Sequence, residues 1–280
     1  MSPLRVVFDT NAFHGAAFDA LEASPLKHLC ARGRVTAVYG HVFFEECLRA
    51  YGSEKRRPLL LQRWLPLIFA TAPSICKDWY QTWHEELVEG RGRKFWPFIS
   101  PRVFASIQQT AAHAPLDGSW HVYKAALKEE KIEFNKRNDQ RQLLVSLRQT
   151  VARRGIARSK ASPVHVLLRE FGPGLILKHV RCRNPKAVAS RWLRNPSDYP
   201  FFTQFAINLI YLANFAATEN NKSIDLNAQA DLDVLTHLIH ADIVVSNETG
   251  FLKSAFEQLW RPEGKVLMTT EEFVAHAKLL

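Results

Sequence analysis

Short β-branched runs alternate with helix-compatible stretches at both ends of the chain, and this alternation limits the folds open to it. Near the amino terminus, Arg5 to Phe8 and Val35 to Tyr39 are typical of buried strands, and a helical pattern follows each of them. The alternation returns after residue 201, where Asp242 to Ser246 and Lys265 to Met268 are predicted strands. The pattern predicts an α/β fold with an open parallel sheet flanked by helices.

The helices of these terminal parts are predicted from the spacing of their apolar residues. They run to about Cys30, from Val42 to Tyr51, from Phe201 to Thr218, from about Ala230 to Ile239, from Thr249 to Leu259, and beyond Met268. The helix Phe201 to Thr218 is apolar around most of its circumference. It is either part of the core or the face of a homodimer, and the sequence leaves both open.

Helices alone are predicted for the middle of the chain, from about Ser53 to about Pro200. Proline and glycine interrupt the pattern, and Pro101 suits the first position of one helix. The predicted helices there are Leu59 to Ala70, Ile75 to Val88, one that opens at Ser100, and a long polar one from Ser119 to Arg154. We therefore predict that residues 1–52 and 201–280 form one α/β domain and that residues 53–200 form a helical insertion.

Basic side chains are concentrated in the predicted insertion. The whole chain has a formal net charge of +10, yet residues 51–200 hold 27 basic against 12 acidic side chains, and the two terminal parts together hold 10 against 15. Phosphate groups are bound by Lys and Arg, whereas divalent cations need carboxylates. This distribution favours an enzyme that processes a polyanion over a chain that is simply basic and soluble.

Several classes of protein lack their signatures in this sequence. No apolar run approaches the roughly 20 residues that span a bilayer, and the amino terminus reaches Asp9 too early for a secretory signal. We therefore predict a cytoplasmic protein without membrane contact. Walker, GxGxxG and GxSxG motifs are absent. A phosphatase of the strand-Asp type would need a second Asp where Asn11 stands.

Cysteine and histidine spacing gives no metal motif. The 4 cysteines show no CxxC spacing, which argues against a disulfide framework and against a zinc site. None of the 11 histidines has metal-ligand partners at a helpful spacing in the sequence. His237 and His240 lie three residues apart, and a packing or surface role is predicted for both.

Acidic residues follow two of the predicted strands closely. Asp9 comes directly after the first strand, and Glu248 lies two residues after the strand that ends at Ser246. The carboxyl ends of parallel strands meet at one edge of an open sheet, where α/β proteins bind their ligands. Asp9 and Glu248 are therefore expected at one crevice, although an Asp in such a position also caps helices.

Two further acidic pairs are predicted on helices. Glu45 and Glu46 lie one turn into the helix after the second strand, and Asp231 and Asp233 stand at the start of another. Each acid has a plainer explanation as a helix cap or a solvated residue. Carboxylates about 4 Å apart repel by roughly 4 kcal/mol at an effective dielectric of about 20, so a cluster persists mainly when a divalent cation neutralises it. An all-oxygen ligand set indicates Mg²⁺ or Mn²⁺.

The order of these elements resembles the PIN-domain nucleases. The elements are an apolar strand followed by Asp9-Thr10-Asn11, a helix with two glutamates, and a segment from Asp231 to the Ser246-Asn247-Glu248 element. In that family an Asp ends the first strand, a Glu lies on the second helix, an Asp opens a later helix, and a T/S-x-D element ends the next strand. The resemblance covers residues 1–52 and 220–280, with Glu248 where the family usually has Asp. It implies a PIN-like open parallel sheet interrupted by a large helical insertion.

The resemblance also implies an activity, that of a metal-dependent endoribonuclease leaving a 5′-phosphate and a 3′-hydroxyl. By position, the implied catalytic residues are Asp9, Glu46, Asp231 and Glu248. Together with Asp233, these residues would bind Mg²⁺ or Mn²⁺; Glu46 is preferred to Glu45, and spacing does not separate Asp231 from Asp233. The residues that would orient the carboxylates or the attacking water are Thr10, Asn11, Ser246 and Asn247. Asp242 matches a non-catalytic position of the family.

The predicted insertion would hold the RNA, most simply a single strand or a loop. Arg91 to Arg102 and His179 to Phe202 interleave aromatic and cationic residues, the combination that holds single-stranded nucleic acid, and Arg153 to Lys160 has few apolar residues to bury. The predicted phosphate contacts are Arg91, Arg93, Lys94, Arg153, Arg154, Arg158, Lys160, Arg181 and Arg183. A core position is favoured over stacking for Phe95, Trp96, Trp192 and Phe201. The competing hypothesis is a non-catalytic RNA-binding protein on a degenerate PIN scaffold.

Overall fold

The structure is a computed structural model that describes residues 3–43, 46–47, 60–77, 79–89, 97–113, 164–218 and 226–280. It divides into two compact units. The first comprises Met1–Lys77, Pro97–Glu130 and Asp233–Leu280, and the second comprises Asp78–Trp96 and Lys131–Leu232. These bounds differ from the predicted segments, because the first unit keeps residues 60–77 and 97–113 and the second takes residues 201–218.

A parallel sheet lies in the first unit, so the α/β class is confirmed. Its strands are β1 (Leu4–Phe8), β2 (Val35–Val38), β3 (Ile243–Val245) and β4 (Val266–Met268), in the order β2-β1-β3-β4. On β1, Val6 is opposite Ala37 of β2 and Ile243 of β3. Valine and isoleucine dominate because both faces of such a sheet are covered and β-branched side chains pack well on it.

Helices surround this sheet, and aromatic residues fill the space beneath them. In the first unit the α-helices are Gly15–Ala23, Leu26–Ala31, Leu65–Thr71, Pro101–His113, Phe251–Leu259 and Thr270–Ala277. Phe8 stacks on Tyr39 with ring centroids 5.7 Å apart, and the Tyr39 hydroxyl lies 2.8 Å from that of Thr71. Tyr39 therefore satisfies its one polar atom while its ring stays in the core.

Shorter turns connect these elements. Thr10–Phe13, His237–Ile239 and Arg261–Glu263 are 3-10 turns, and Leu60–Trp64 is a π-turn that leads into the next helix. Residues 41–43 and 46–47 are helical, as predicted for Val42 to Tyr51, and the remainder of that helix lies outside the described residues. The predicted helix Ser119 to Arg154 also lies outside them.

Two predicted helix starts are wrong. The helix predicted from Ile75 begins only at Trp79, because Cys76 forms an isolated antiparallel bridge with Phe98 and its N–H donates to the Tyr39 carbonyl at 3.0 Å. The helix predicted from about Ala230 begins at Leu226 and ends at Thr236. Apolar spacing gave the existence of both helices but not their ends, and for the first helix the end depends on backbone partners of Cys76 that are distant in sequence.

Helices make up the described part of the second unit. They are Trp79–Glu89, Val164–His179, Pro185–Arg194, Pro200–Thr218 and the first residues of Leu226–Thr236. Trp83 stacks on Phe205 at 5.0 Å, and Trp192 is so close to Gly172 that a Cβ there would lie 2.1 Å from the indole ring. Among the described helices, none combines the length and apolar composition needed to span a bilayer.

A buried carboxylate, Glu86, caps one of these helices. Its two oxygens accept the N–H groups of Phe201 at 3.2 Å and Phe202 at 2.9 Å, in the first turn of helix Pro200–Thr218. Helix amides in that turn have no partner within the helix, so the carboxylate supplies one. Burial raises the pKa of Glu86 to about 8, although both hydrogen bonds act to lower it.

Candidate active site

Asp9 and Ser246 lie side by side at the carboxyl edge of the sheet. Asp9 directly follows β1, and its N–H donates to the Val245 carbonyl at 3.0 Å. Ser246 directly follows β3, and its N–H donates to the Met268 carbonyl at 3.0 Å. In the order β2-β1-β3-β4, the connection from β1 to β2 runs toward one edge of the sheet and the connection from β3 to β4 runs toward the other. Such a reversal opens a crevice between the two central strands, and α/β proteins bind ligands there.

Asp9 is buried, and its charge is opposed from several sides. Asp9 is 6% exposed, and the Ser246 hydroxyl donates to Oδ2 of Asp9 at 2.8 Å. The pKa of Asp9 is raised to about 6, mainly by burial and in addition by the negative charges of Glu46 and Glu248, while hydrogen bonds from Ser246 and Thr10 act to lower it. The charges of Glu46 and Glu248 therefore both disfavour the ionisation of Asp9.

Thr10 lies between two of these acids. Its hydroxyl donates to Glu46 Oε2 at 2.5 Å and lies 3.4 Å from Asp9 Oδ1, which places the two carboxylates within about 6 Å of each other. A hydroxyl has one hydrogen, so Thr10 serves one acid at a time. Glu46 is half-buried, whereas Glu45 lies outside the described residues. The preference for Glu46 over Glu45 therefore stays a prediction.

Glu248 has two explanations. Its N–H donates to the Ser246 hydroxyl at 3.1 Å, which ties it to the residue that touches Asp9. Its Oε1 accepts the N–H of Leu252 at 3.2 Å, in the first turn of helix Phe251–Leu259. Glu248 therefore adds negative charge to the site and also caps a helix, and the cap uses one of its two oxygens.

The two asparagines hold the strand ends together without touching the acids. Asn11 donates to the Ser246 hydroxyl at 3.0 Å and accepts the Asn247 N–H at 2.8 Å. The Asn247 side chain bonds both the N–H and the hydroxyl of Thr270, each at 2.9 Å. Of the four polar residues predicted to orient the site, Thr10 and Ser246 touch carboxylates, Asn11 touches Ser246, and Asn247 anchors the group to helix Thr270–Ala277.

Asp231 and Asp233 are not at a helix start, contrary to the prediction. The helix begins at Leu226, so both acids lie in its middle and neither caps it. Asp231 belongs to the second compact unit and Asp233 to the first, and both are half-buried. A place for either of them beside Asp9 stays a prediction.

The predicted RNA-binding residues fall mostly outside the described part of the chain. Those outside are Arg91, Arg93, Lys94, Arg153, Arg154, Arg158 and Lys160, together with Phe95 and Trp96. Arg181 and Arg183 are described, and both are exposed in the second unit. Trp192 is 0% exposed and Phe201 is 5% exposed. Their predicted core positions are therefore confirmed, and they present no stacking surface.

The donor set of the cluster suits a hard divalent cation. Asp9, Glu46 and Glu248 offer oxygen atoms only; the Thr10 hydroxyl bonds to Glu46 and the Ser246 hydroxyl to Asp9, while Asn11 bonds to Ser246. Mg²⁺ and Mn²⁺ prefer carboxylate oxygens, and Mg²⁺ commonly keeps several waters when one or two carboxylates hold it. A cation here would relieve the repulsion that raises the pKa of Asp9.

Sequence spacing missed one cluster entirely. Cys76, His237 and His240 place one potential ligand atom each within 4.8 Å of one another, although Cys76 is distant from the histidines in sequence. Spacing in the sequence indicated no third ligand beside His237 and His240, whereas in the structure Cys76, which forms the bridge with Phe98, lies next to them. The pattern of the sequence gave no signal for this approach.

Comparison with known proteins supplies no family for the chain. No protein-family model matches it, and neither a curated protein nor a solved structure does. The residues at the sheet edge are therefore the basis on which a function is proposed.

Proposed function

We propose that the chain is a metal-dependent phosphodiesterase of the PIN type that cuts RNA. One observation carries the proposal, the convergence of Asp9, Glu46 and Glu248 at the crevice between β1 and β3. The order of these acids along the chain resembles that of PIN nucleases, and the parallel sheet is compatible with their fold. Buried acids whose pKa is raised by burial and by neighbouring carboxylates, as that of Asp9 is, are concentrated at functional sites.

Asp9, Glu46 and Glu248 would hold the ion, with Asp233 of the same unit as the expected further ligand. A bound Mg²⁺ or Mn²⁺ supplies a water of lowered pKa and offsets the charge that develops on the phosphate. Hydrogen bonds within the chain orient the carboxylate groups of Asp9 and Glu46. Ser246 fixes Oδ2 of Asp9, and Thr10 holds the Glu46 carboxylate at 2.5 Å. Ligands fixed in this way lose little freedom when a cation binds.

The substrate class follows from charge. Residues 51–200 carry 27 basic against 12 acidic side chains, and the described Arg181 and Arg183 are exposed. Such an excess of positive charge would attract a polyanion over a distance of about 10 Å at moderate salt. We take RNA as the polyanion because the resemblance implies it, with single strands or loops as the preferred form.

The test is cleavage of an end-labelled single-stranded RNA and its matched duplex by chelator-treated protein to which Mg²⁺ or Mn²⁺ is restored. Asp9→Asn is compared with the control Asp242→Asn. Asp242 is exposed, lies at the opposite end of β3 from Ser246, and accepts the Arg5 N–H at 3.1 Å. We expect metal-dependent cutting that Asp9→Asn abolishes and Asp242→Asn retains. Metal-independent cutting, or cutting by Asp9→Asn at the wild-type rate, would overturn the proposal.

One observation favours the non-catalytic alternative. Because Oε1 of Glu248 caps the helix Phe251–Leu259, this acid has a structural reason to be present without any metal. An RNA-binding protein on a degenerate scaffold would bind the same labelled RNA in a salt-sensitive manner and leave it intact in every metal. The cleavage assay, read beside a filter-binding assay at two salt concentrations, separates the two functions.

A further inference from the structure

A second group of potential ligands lies in the first unit, and it differs in chemistry from the Asp9 cluster. The ligand atoms of Cys76, His237 and His240 lie within 4.8 Å of one another. Nδ1 of His237 and Nε2 of His240 are 3.4 Å apart. Cys76 is 2% exposed and His237 is 6% exposed, so both are buried, and His240 is half-buried. A thiol and two imidazoles are soft or borderline donors, which Mg²⁺ and Mn²⁺ do not favour.

Two consecutive residues after β2 position two of these ligands. The N–H of Cys76 donates to the Tyr39 carbonyl at 3.0 Å, which holds the thiol beside the end of the strand. The next residue is Gly40, and a Cβ on it would lie 2.5 Å from Nε2 of His237. The imidazole of His237 therefore rests directly against the backbone of Gly40, with its Nδ1 facing His240.

The third ligand is held from two sides. The carbonyl of His240 accepts Nη1 of Arg5 at 3.2 Å, which ties it to β1. Its ring meets that of Phe98 edge to face at 5.5 Å, and Phe98 is the residue paired with Cys76 in the antiparallel bridge. The same bridge thus fixes the Cys76 backbone and the His240 ring. Each ligand is fixed by contacts outside the trio.

The spacing of the two imidazole nitrogens matches that of a tetrahedral metal site. With Zn–N bonds of about 2.0–2.1 Å and Zn–S bonds of about 2.3 Å, two nitrogens lie about 3.3 Å apart and a nitrogen and a sulfur about 3.6 Å apart. The two imidazole nitrogens already have this spacing, at 3.4 Å. A hydrogen bond between them would be long at that distance. Because the sulfur lies within 4.8 Å of both nitrogens, each of these distances must shorten by up to about 1.2 Å to complete the set.

We propose that Cys76, His237 and His240 bind one Zn²⁺, with solvent in the fourth position. The ion fixes residues 237–240 to the bridge between Cys76 and Phe98, and it is independent of the divalent cation at Asp9. Binding forms two Zn–N bonds and one Zn–S bond and releases the thiol proton to solvent.

The protonation states agree with this assignment. Burial lowers the pKa of His237 to about 4, with a smaller contribution from His41, so the ring is neutral and can ligate. Burial also lowers the pKa of His240, as do His237, Arg5 and Lys265. Burial raises the pKa of the Cys76 thiol, so in the absence of a cation the sulfur keeps its proton.

The test begins with the unmodified full chain, purified without chelator or affinity metal. Elemental analysis should find about one equivalent of zinc, and Co²⁺ exchanged into the protein should give a thiolate-to-cobalt charge-transfer band and the intense visible bands of a tetrahedral ion. Cys76→Ser should lose the charge-transfer band and weaken metal binding by about 10²-fold or more. A chain that takes up neither ion, or a Cys76→Ser variant with an unchanged band, would overturn the proposal.

Two controls keep the result interpretable. Cys30→Ser combined with His28→Ala removes a thiol and an imidazole from helix Leu26–Ala31 in the same unit, and metal content should stay unchanged. Asp9→Asn should keep the cobalt spectrum even if it destroys nuclease activity, which separates this site from the proposed function. Loss of the band in the Cys30/His28 variant would assign the metal to other ligands and refute the trio.

A variant that leaves all three ligands in place sharpens the test. Gly40→Ala puts a methyl group where the His237 ring now lies, so the ring must move away from His240. We expect Gly40→Ala to lower zinc affinity by at least about tenfold while its circular dichroism spectrum stays close to that of the wild type. Unchanged affinity in a folded Gly40→Ala variant would show that His237 is not a ligand.

Discussion

Two buried carboxylates, one in each compact unit, differ in what surrounds them. In the second unit, Glu86 accepts two helix N–H groups, and the pKa of this acid is raised to about 8. In the first unit, Asp9 has a smaller rise, to about 6, yet two other acids contribute to it. The more perturbed group is therefore the one with an evident structural role. The identity of the neighbours, and not the size of the pKa shift, distinguishes a candidate site from a helix cap.

The largest expected effect tests whether this distinction reflects function. Asp9→Asn should reduce metal-dependent cleavage by at least about a thousandfold, because it removes a charged metal ligand from the reacting centre. Glu86→Gln, compared per folded molecule, should change the rate by less than about threefold, since Glu86 caps a helix of the other unit. Rates from single-turnover cleavage of the labelled RNA give both values. A Glu86→Gln variant as inactive as Asp9→Asn would erase the distinction between the two acids.

Stability should show the reverse ranking. Glu86→Ala leaves two buried N–H groups of helix Pro200–Thr218 without an acceptor and should cost about 2–4 kcal/mol of unfolding free energy. Urea unfolding followed by circular dichroism measures the loss. Glu89→Ala, at an exposed position of helix Trp79–Glu89, which also carries Glu86, should cost less than about 1 kcal/mol of unfolding free energy. Equal losses in the two variants would remove Glu86 from its capping role.

Removal of one hydroxyl should give an intermediate effect at the sheet edge. Thr10→Val keeps the shape of the side chain and loses the hydrogen bond to Glu46, so cleavage should slow by about 10- to 100-fold. Thr10→Ser, which keeps the hydroxyl, should recover most of that rate. The kcat of each variant in saturating Mn²⁺ is the measurement. A serine variant as slow as the valine variant would show that packing, and not the hydroxyl, matters at this position.

The smallest expected effect concerns pH. The pKa of Asp9 is raised when the protein folds, so its contribution to stability is fully present below pH 3.8 and is lost as pH rises through about 6. In metal-free protein, Asp9→Asn should therefore be more stable than the wild type at pH 7.5 by about 1–2 kcal/mol, with no advantage near pH 4. Thermal unfolding at both pH values tests this. A stability difference that does not change with pH would show that ionisation of Asp9 is not its cause.

The sheet and its edge were predictable because they depend on local signals. Apolar runs such as Arg5 to Phe8 and Asp242 to Ser246 marked the strands, and the polar residues after them had to meet once those strands were parallel neighbours. The contacts of Thr10 and Ser246 with carboxylates follow from this geometry. The metal, the substrate and the catalytic roles of these residues stay predictions.

Other features depend on contacts distant in sequence, and spacing could not reveal them. Glu86 is one of two adjacent glutamates in an ordinary helical pattern, and its capping role appears only when Phe201 and Phe202 reach it. Cys76 meets His237 because an isolated bridge replaces the first turn of a predicted helix. The helix start was misplaced because Asp231 and Asp233 themselves resemble a helix-start signal, whereas the helix already includes Leu226.

The pairing of β1 with β3 has a consequence for how the protein is made. The hydrogen bond between Ser246 and Asp9 joins residues 237 positions apart, and the strand after Ser246 completes the sheet only at Met268. A ribosome must therefore have added β3 and Ser246 before the crevice can exist, and closing so long a loop is slow. An incomplete nascent chain that ends before β3 lacks half of the crevice. A nuclease built in this way would be harmless to the messenger RNA and ribosome that are still producing it.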